Sequence, residues 1–118
     1  MKKEMEIKLY KLEVIPGKEN IAEEWLEFLK QNKEAGEALL KKEKAYFEAY
    51  FKSIEEGRMY IYLFFSAEDV NFSNNKALHH GSSLDKKHFA YMKECVHLSK
   101  GDIMDCLLYL NNMEDFMK

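Results

Sequence analysis

The side chains of this sequence best able to move protons are His88, Tyr91, Cys95 and Glu48. In LDKKHFAYMKEC the first three recur three and four residues apart, which places them on one face of a helix. An imidazole titrates near neutrality and can accept a proton, with the Tyr91 phenol as a donor beside it. A Cys–His nucleophile is not supported, because seven residues along a helix separate the two side chains by about 10 Å. The competing reading of His88 is a core histidine bonded to a tyrosine or a backbone carbonyl. Glu48 is the alternative acceptor, with Tyr50 as its donor. His79 and His80 are adjacent, and neighbours in sequence rarely point at one metal, so no metal site is expected. No cofactor is called for either.

These residues must be held by an aromatic hairpin and two helices. KAYFEAYFKS and RMYIYLFFS read as strands joined through Ile54 to Arg58, with Gly57 supplying a positive φ. Period two puts Ala45, Phe47, Ala49 and Phe51 on a cleanly apolar side, with Tyr46, Glu48, Tyr50 and Lys52 opposite. On the return strand Met59, Ile61, Leu63 and Phe65 oppose Tyr60, Tyr62 and Phe64. The expected register sets Tyr50 across from Tyr62 and Glu48 across from Phe64. Neither face of the hairpin is polar, whereas a sheet covered by helices on one side should show water a polar face. Three or four bare tyrosines, at about 150–250 Å² each, exceed what a monomer usually exposes. A second copy of the sheet is the favoured cover; the alternative is ordinary strand-forming tyrosines with wet hydroxyls.

The 118 residues suit one domain, 1–118, with a loose tail at 113–118. A net charge of −3 provides no basic stripe for a phosphate backbone, so nucleic acid is not an expected partner. MKKEMEIK lacks the apolar run of a secretory signal, and no stretch is apolar for long enough to cross a bilayer, so a cytoplasmic protein with no membrane partner is expected. Cys95 and Cys106 fit no CxxC spacing and read as buried, reduced thiols.

The remaining elements follow from periodicity. Residues 5–15 read as a strand ended by Pro16-Gly17. From Lys18 a 3.6-residue period carries Ile21, Trp25, Phe28, Leu29, Leu39 and Leu40 on one stripe, which predicts a helix of about 25 residues bending at Gly36. Asn32 and Glu43 interrupt that stripe, either lining a site or standing at helix ends. Residues 67–81 show no period and read as a long loop. Ser82 to Asp85 forms a capping box for a helix running to about Leu98. Ile103 to Leu110 reads as the last strand.

Strand, helix, strand, strand, helix, strand is the plan of ferredoxin-like α+β domains with a four-stranded antiparallel sheet. LYKLEVIPGKENIAEEWLEFL and LDKKHFAYMKEC resemble the paired signatures of a bacterial family of unknown function, which is similar in plan to the dimeric α+β barrel superfamily. The resemblance spans about residues 7–110. It rests on Tyr10, Pro16, Gly17, Trp25, Phe28 and Leu29, then on Asp85, Lys86, Lys87, His88, Tyr91 and Cys95. Met92 and the last strand depart from the pattern. The resemblance implies a homodimer whose two sheets face each other, with a pocket on the open face walled by Tyr10, Glu48, Tyr50, Tyr60, Tyr62 and Phe64. Such a pocket suits a small apolar or aromatic molecule. A cofactor-independent enzyme of the oxygenase or isomerase kind is the alternative, and a structural or protein-partner role is the third reading.

Overall fold

The computed structural model describes residues 5–80, 82–98 and 101–112. Eight elements follow one another: β1 (Glu6–Glu13), α1 (Glu19–Gln31), α2 (Lys33–Lys42), β2 (Ala45–Glu55), β3 (Arg58–Ala67), α3 (Val70–His80), α4 (Ser83–Cys95) and β4 (Asp102–Asp105). The strands form one antiparallel sheet in the order β2-β3-β1-β4, which is the ferredoxin-like plan expected. The helices lie on one side of it. Trp25, Val14, Ile61, Ala22 and Cys95 fill the core between them, and Phe65, Ala67 and Val70 make a second buried cluster.

The helical stretch after Pro16 breaks at Asn32, four residues before the glycine expected to bend it. Asn32 has φ −116° and ψ 28°, and its side-chain amide donates to the Phe28 carbonyl at 2.8 Å. A short amide that bonds the backbone one turn back competes with helix continuation. Gly36 lies inside α2, and its N–H donates to the Asn32 carbonyl. Glu43 caps the C-terminus of α2, so both polar interruptions of the apolar stripe stand at helix ends.

Residues 67–81, read as a loop, contain helix α3. Asp69 Oδ1 accepts from the Phe72 N–H and Glu6 Oε1 accepts from the Val70 N–H, which satisfies donors that a helix start leaves open. α4 begins at the expected capping box, with Ser82 Oγ accepting from Asp85 N–H and Asp85 Oδ2 accepting from Ser82 N–H. It ends at Cys95, before Leu98, because Val96 turns extended and bridges Val14. β4 covers Asp102–Asp105 only; residues 106–110 carry no strand pairing, and Leu107, Leu108 and Leu110 stand exposed. The expected loose tail, 113–118, lies outside the described residues. Cys95 is buried as expected and its thiol is free; Cys106 is free but exposed.

The hairpin turn is tighter than expected. Glu55 pairs with Arg58, so only Glu56 and Gly57 make the turn, both with positive φ (52° and 79°), as a two-residue hairpin loop requires. Tyr50 therefore pairs with Leu63 and Phe51 with Tyr62; Glu48 pairs with Phe65. A one-residue slip exchanges the faces of a strand. Glu48 and Tyr50 accordingly turn toward the helices, while Phe47 and Phe51, 56% and 54% exposed, lie on the open face. Tyr46 stands at a bulge between the Ala45 and Phe47 pairs.

Candidate functional site

The slip divides the expected pocket wall. Tyr10, Glu48 and Tyr50 face the helices, whereas Tyr60, Tyr62 and Phe64 lie on the open face, so the six side chains do not share one surface. On the open face Tyr62 donates to Glu55 Oε2 at 2.6 Å, and Lys11 donates to Glu55 Oε1 at 3.3 Å. Lys11 Nζ also sits 4.5 Å above the Tyr60 ring. The hydrogen bond from Tyr62 holds the Glu55 carboxyl below its usual range and the phenol above its own. Toward the other end of this face the surface becomes apolar, with Phe47 edge-on to Phe64 beside a groove of about 430 Å³ that Ile7, Leu108 and Leu110 also line.

The chemistry-bearing residues gather on the other side of the sheet, in a cavity of about 180 Å³ between β1–β3 and the helices. Leu29 and Leu39 from the first two helices, Leu63 and Phe65 from β3, and Met92 from α4 form its apolar walls. Its polar groups are Glu43, Glu48, Tyr50, Asp85, His88, Tyr10 and Asn74. The folding logic of each placement is local. Glu43 is carried in by the end of α2, where the Ser73 hydroxyl of α3 donates to its carbonyl. Asp85 arrives with the capping box, and His88 stands three residues later, about one helical turn further on. Glu48 and Tyr50 are two apart on β2 and so share a face.

Their hydrogen bonds assign roles. The Trp25 indole N–H, which can only donate, reaches His88 Nδ1 at 2.9 Å, so Nδ1 is the accepting nitrogen and the ring proton resides on Nε2. Burial pushes the His88 pKa down to about 4. The histidine expected as a proton acceptor is thus a neutral imidazole that offers an N–H to the cavity. The Tyr50 hydroxyl donates to Glu48 Oε1 at 3.1 Å, and burial raises the phenol's pKa further. Glu48 stays exposed at the mouth, but partial desolvation of its carboxyl, and then the Asp85 charge, raise its pKa despite the bond from Tyr50. Glu43 is only 9% exposed, its carboxyl has no hydrogen-bond partner among the described residues, and burial together with the Asp85 and Glu48 charges pushes its pKa up to about 7.

Tyr91 and Cys95 are not brought to this cavity. Tyr91 packs over Phe28 with ring centroids 5.5 Å apart, and Cys95 is enclosed in the core, where burial raises its thiol to about 11. Among the described residues no group of three or more His, Cys, Asp or Glu side chains is arranged to hold a metal ion. Also among them, no helix is long and apolar enough to cross a membrane. Glu43 was visible in the sequence as a carboxylate on an apolar stripe. Trp25 and His88 are 63 residues apart, and nothing local announces their bond.

A family model described as a family of unknown function, DUF6176, matches residues 5–114. Comparison with curated proteins gives no match. Among solved structures, a protein from Bacteroides thetaiotaomicron assigned as an antibiotic biosynthesis monooxygenase superposes with a TM-score of 0.58 at 15% identity, covering 92% of each chain. One from Nitrosomonas europaea with the same assignment gives 0.57 at 13%, covering 94% of this chain and 98% of that one. A conserved protein from Methanosarcina mazei gives 0.55 at 19%, covering 86% and 91%. At these identities the likeness is one of fold.

Proposed function

This chain belongs to the DUF6176 family of unknown function, and from that premise we propose that it is a cytoplasmic homodimer binding one small, mostly apolar molecule in the inner cavity of each subunit. The observation that carries the reading is the cavity itself: leucines, two phenylalanines and a methionine surround about 180 Å³ that a few polar groups also line. That mixture is how small-molecule sites are built, and the volume lies below the roughly 300–1,000 Å³ of sites for drug-sized ligands. A single ring is the appropriate size. The site is therefore moved from the open sheet face to the helix side, together with Tyr10, Glu48 and Tyr50.

The open face supports the dimer. Phe47 and Phe51 are more than half exposed there, and Leu108 and Leu110, which line the groove beside Phe47, are exposed as well. Water would face more apolar surface than a monomer usually leaves. Two free cysteines suit a reducing compartment.

A panel of single-ring compounds tests the ligand reading by thermal shift, since a ligand that binds only the folded state stabilises it by RT ln(1 + [L]/Kd). Binding members should raise the melting temperature of the wild type and lose that effect in Ala77→Phe, which fills part of the space. Silence across the panel leaves a structural or protein-partner role.

A second reading, proton-transfer catalysis of the oxygenase or isomerase kind, is favoured by one observation: Glu43 is a buried carboxyl with a pKa of about 7 in a cavity where His88 offers an N–H. A carboxylate poised near neutrality can take a proton from an acidic C–H or O–H, and a neutral imidazole can stabilise negative charge forming on oxygen. Solvent exchange of an acidic substrate proton, lost in Glu43→Gln, would separate catalysis from binding alone.

A further inference from the structure

We propose that the inner cavity selects an organic cation, a small aryl-alkyl or alicyclic primary amine, whose ring lies among the leucines while its ammonium group sits between Glu43, Glu48 and Asp85. This deepens the ligand reading above and rests on it. The argument begins with charge. Three carboxyl groups line the cavity and no lysine or arginine does. The nearest basic side chain on the same strand face, Lys52, is paired with Glu23 of α1 at 2.8 Å. His88, the remaining basic side chain of the cavity, is a neutral donor because Trp25 occupies Nδ1.

The three carboxyls differ in what they already hold. Asp85 Oδ2 serves the capping box and Glu48 Oε1 accepts from Tyr50. Glu43 is only 9% exposed, its carboxyl accepts no hydrogen bond among the described residues, and its oxygens are left accessible where it lines the cavity. A buried charge is stable only when paired or hydrogen-bonded, and like charges around it make ionisation harder still. Burial and the Asp85 and Glu48 charges consequently leave Glu43 partly protonated near neutral pH.

An ammonium group brings both a charge of the right sign and three donors, which matches one unpartnered carboxylate plus the free lone pairs of two others. An anionic ligand would meet three carboxyls and no cation. A metal ion is a poorer occupant, because the described carboxyls do not converge at ligating distance on one point. They stand around a space, as an organic cation with an apolar body requires.

Calorimetric titration with benzylamine, benzyl alcohol and benzoate at about pH 8 tests this, since the three share a ring and differ in charge. Benzylamine is expected to bind about tenfold or more tighter than benzyl alcohol, a preference worth about 1.4 kcal/mol, and benzoate is not expected to bind. Glu43→Gln should bring the amine to the level of the alcohol, with a smaller loss in Glu48→Gln at the exposed mouth.

Should the glutamine variants not fold, the wild type carries the test alone. The amine preference should fall by about tenfold from pH 8 to pH 5.5, as Glu43, facing Glu48 and Tyr50 of β2 and Asp85 and His88 of α4, takes up its proton. Alcohol binding as tight as amine binding would overturn the cation inference and leave the cavity reading standing. No binding by any of the three at millimolar concentration would overturn the inference and count against the cavity reading as well. Amine binding that is indifferent to both Glu43→Gln and pH would place the amine elsewhere and equally overturn it.

Discussion

Replacing Glu43 by glutamine should stabilise the protein progressively as pH rises, and the magnitude follows from the burial of that carboxyl. In the folded chain its pKa lies near 7, against 4.5 for an ordinary glutamate. Between those values the folded state holds a proton that the unfolded state has lost. Stability from Glu43 is therefore fully present below about pH 4.5 and disappears as pH rises through 7. At about 1.4 kcal/mol per pH unit the loss amounts to at most about 3 kcal/mol, reduced by whatever screening solvent at the cavity supplies. Glutamine keeps the shape and never ionises, so the difference between variant and wild type should grow by about that amount between pH 4.5 and pH 8.

His88 makes this test sharper because its contribution has the opposite sign. Its folded pKa is about 4 against an ordinary 6.5, so over that interval the unfolded state binds the extra proton and stability increases with pH. The two slopes nearly cancel in the wild type between pH 4.5 and 6.5. Removing Glu43 exposes the histidine slope, and Glu43→Gln should lose about 2–3 kcal/mol of stability on acidification from pH 6.5 to 4.5. Glu48 and Tyr50 of β2 and Asp85 of α4 also face this carboxyl, and they are present in both proteins. Urea unfolding followed by fluorescence of the single tryptophan, Trp25, at fixed protein concentration reads both curves. A difference between the two proteins that stays constant from pH 4.5 to 8 would refute the buried, unpaired state assigned to Glu43.

Other perturbations test separate parts of the structure. Gly36→Ala should gain about 0.5–1 kcal/mol in denaturant unfolding, since Gly36 lies inside α2 and an added Cβ meets no atom within 4 Å; destabilisation would show that the position needs glycine. Ser82→Ala should cost about 1 kcal/mol by opening the capping box of α4, and no loss would mean that Asp85 is held without it. Phe51→Lys should convert the proposed dimer to monomer in sedimentation while leaving the far-ultraviolet spectrum intact, because Phe51 is exposed on the open face and does not line the inner cavity; an unchanged assembly would exclude that face as the contact. Trp25→Phe removes the donor that His88 Nδ1 has among the described residues, so nitrogen NMR should show a single Nε2–H tautomer in the wild type and a tautomer mixture in the variant, with a cost of about 2–4 kcal/mol from the lost bond and volume.

The element order was legible because burial imposes periods of two and 3.6 on the sequence, and β1, α1, the hairpin and α4 all carry them. Where the reading failed, a polar contact had replaced periodicity as the organising force. Helix α3 has no clear apolar stripe; it is tied down by the Glu6 carboxylate on its first N–H and by Ser73 on the Glu43 carbonyl, partners that lie 64 and 30 residues away. The helix break at Asn32 depends on one side-chain amide turning back on its own backbone. The hairpin register was misjudged for a related reason. Ala45, Phe47, Ala49 and Phe51 are the apolar side of β2, and the hydrophobic pattern alone assigns that side to the core. The structure turns Glu48 and Tyr50 toward the helices instead, with Glu48 exposed at the cavity mouth, and leaves the phenylalanines on the open face. Such an inversion costs a monomer twice, by partly desolvating the Glu48 carboxylate and by wetting aromatic rings. In the proposed dimer both faces gain an occupant, a ligand whose polar group meets Glu43 and Glu48 on one side and a second sheet against Phe47 and Phe51 on the other. Local rules tend to be broken at functional sites, and in this chain the violations on both faces fall on a single strand.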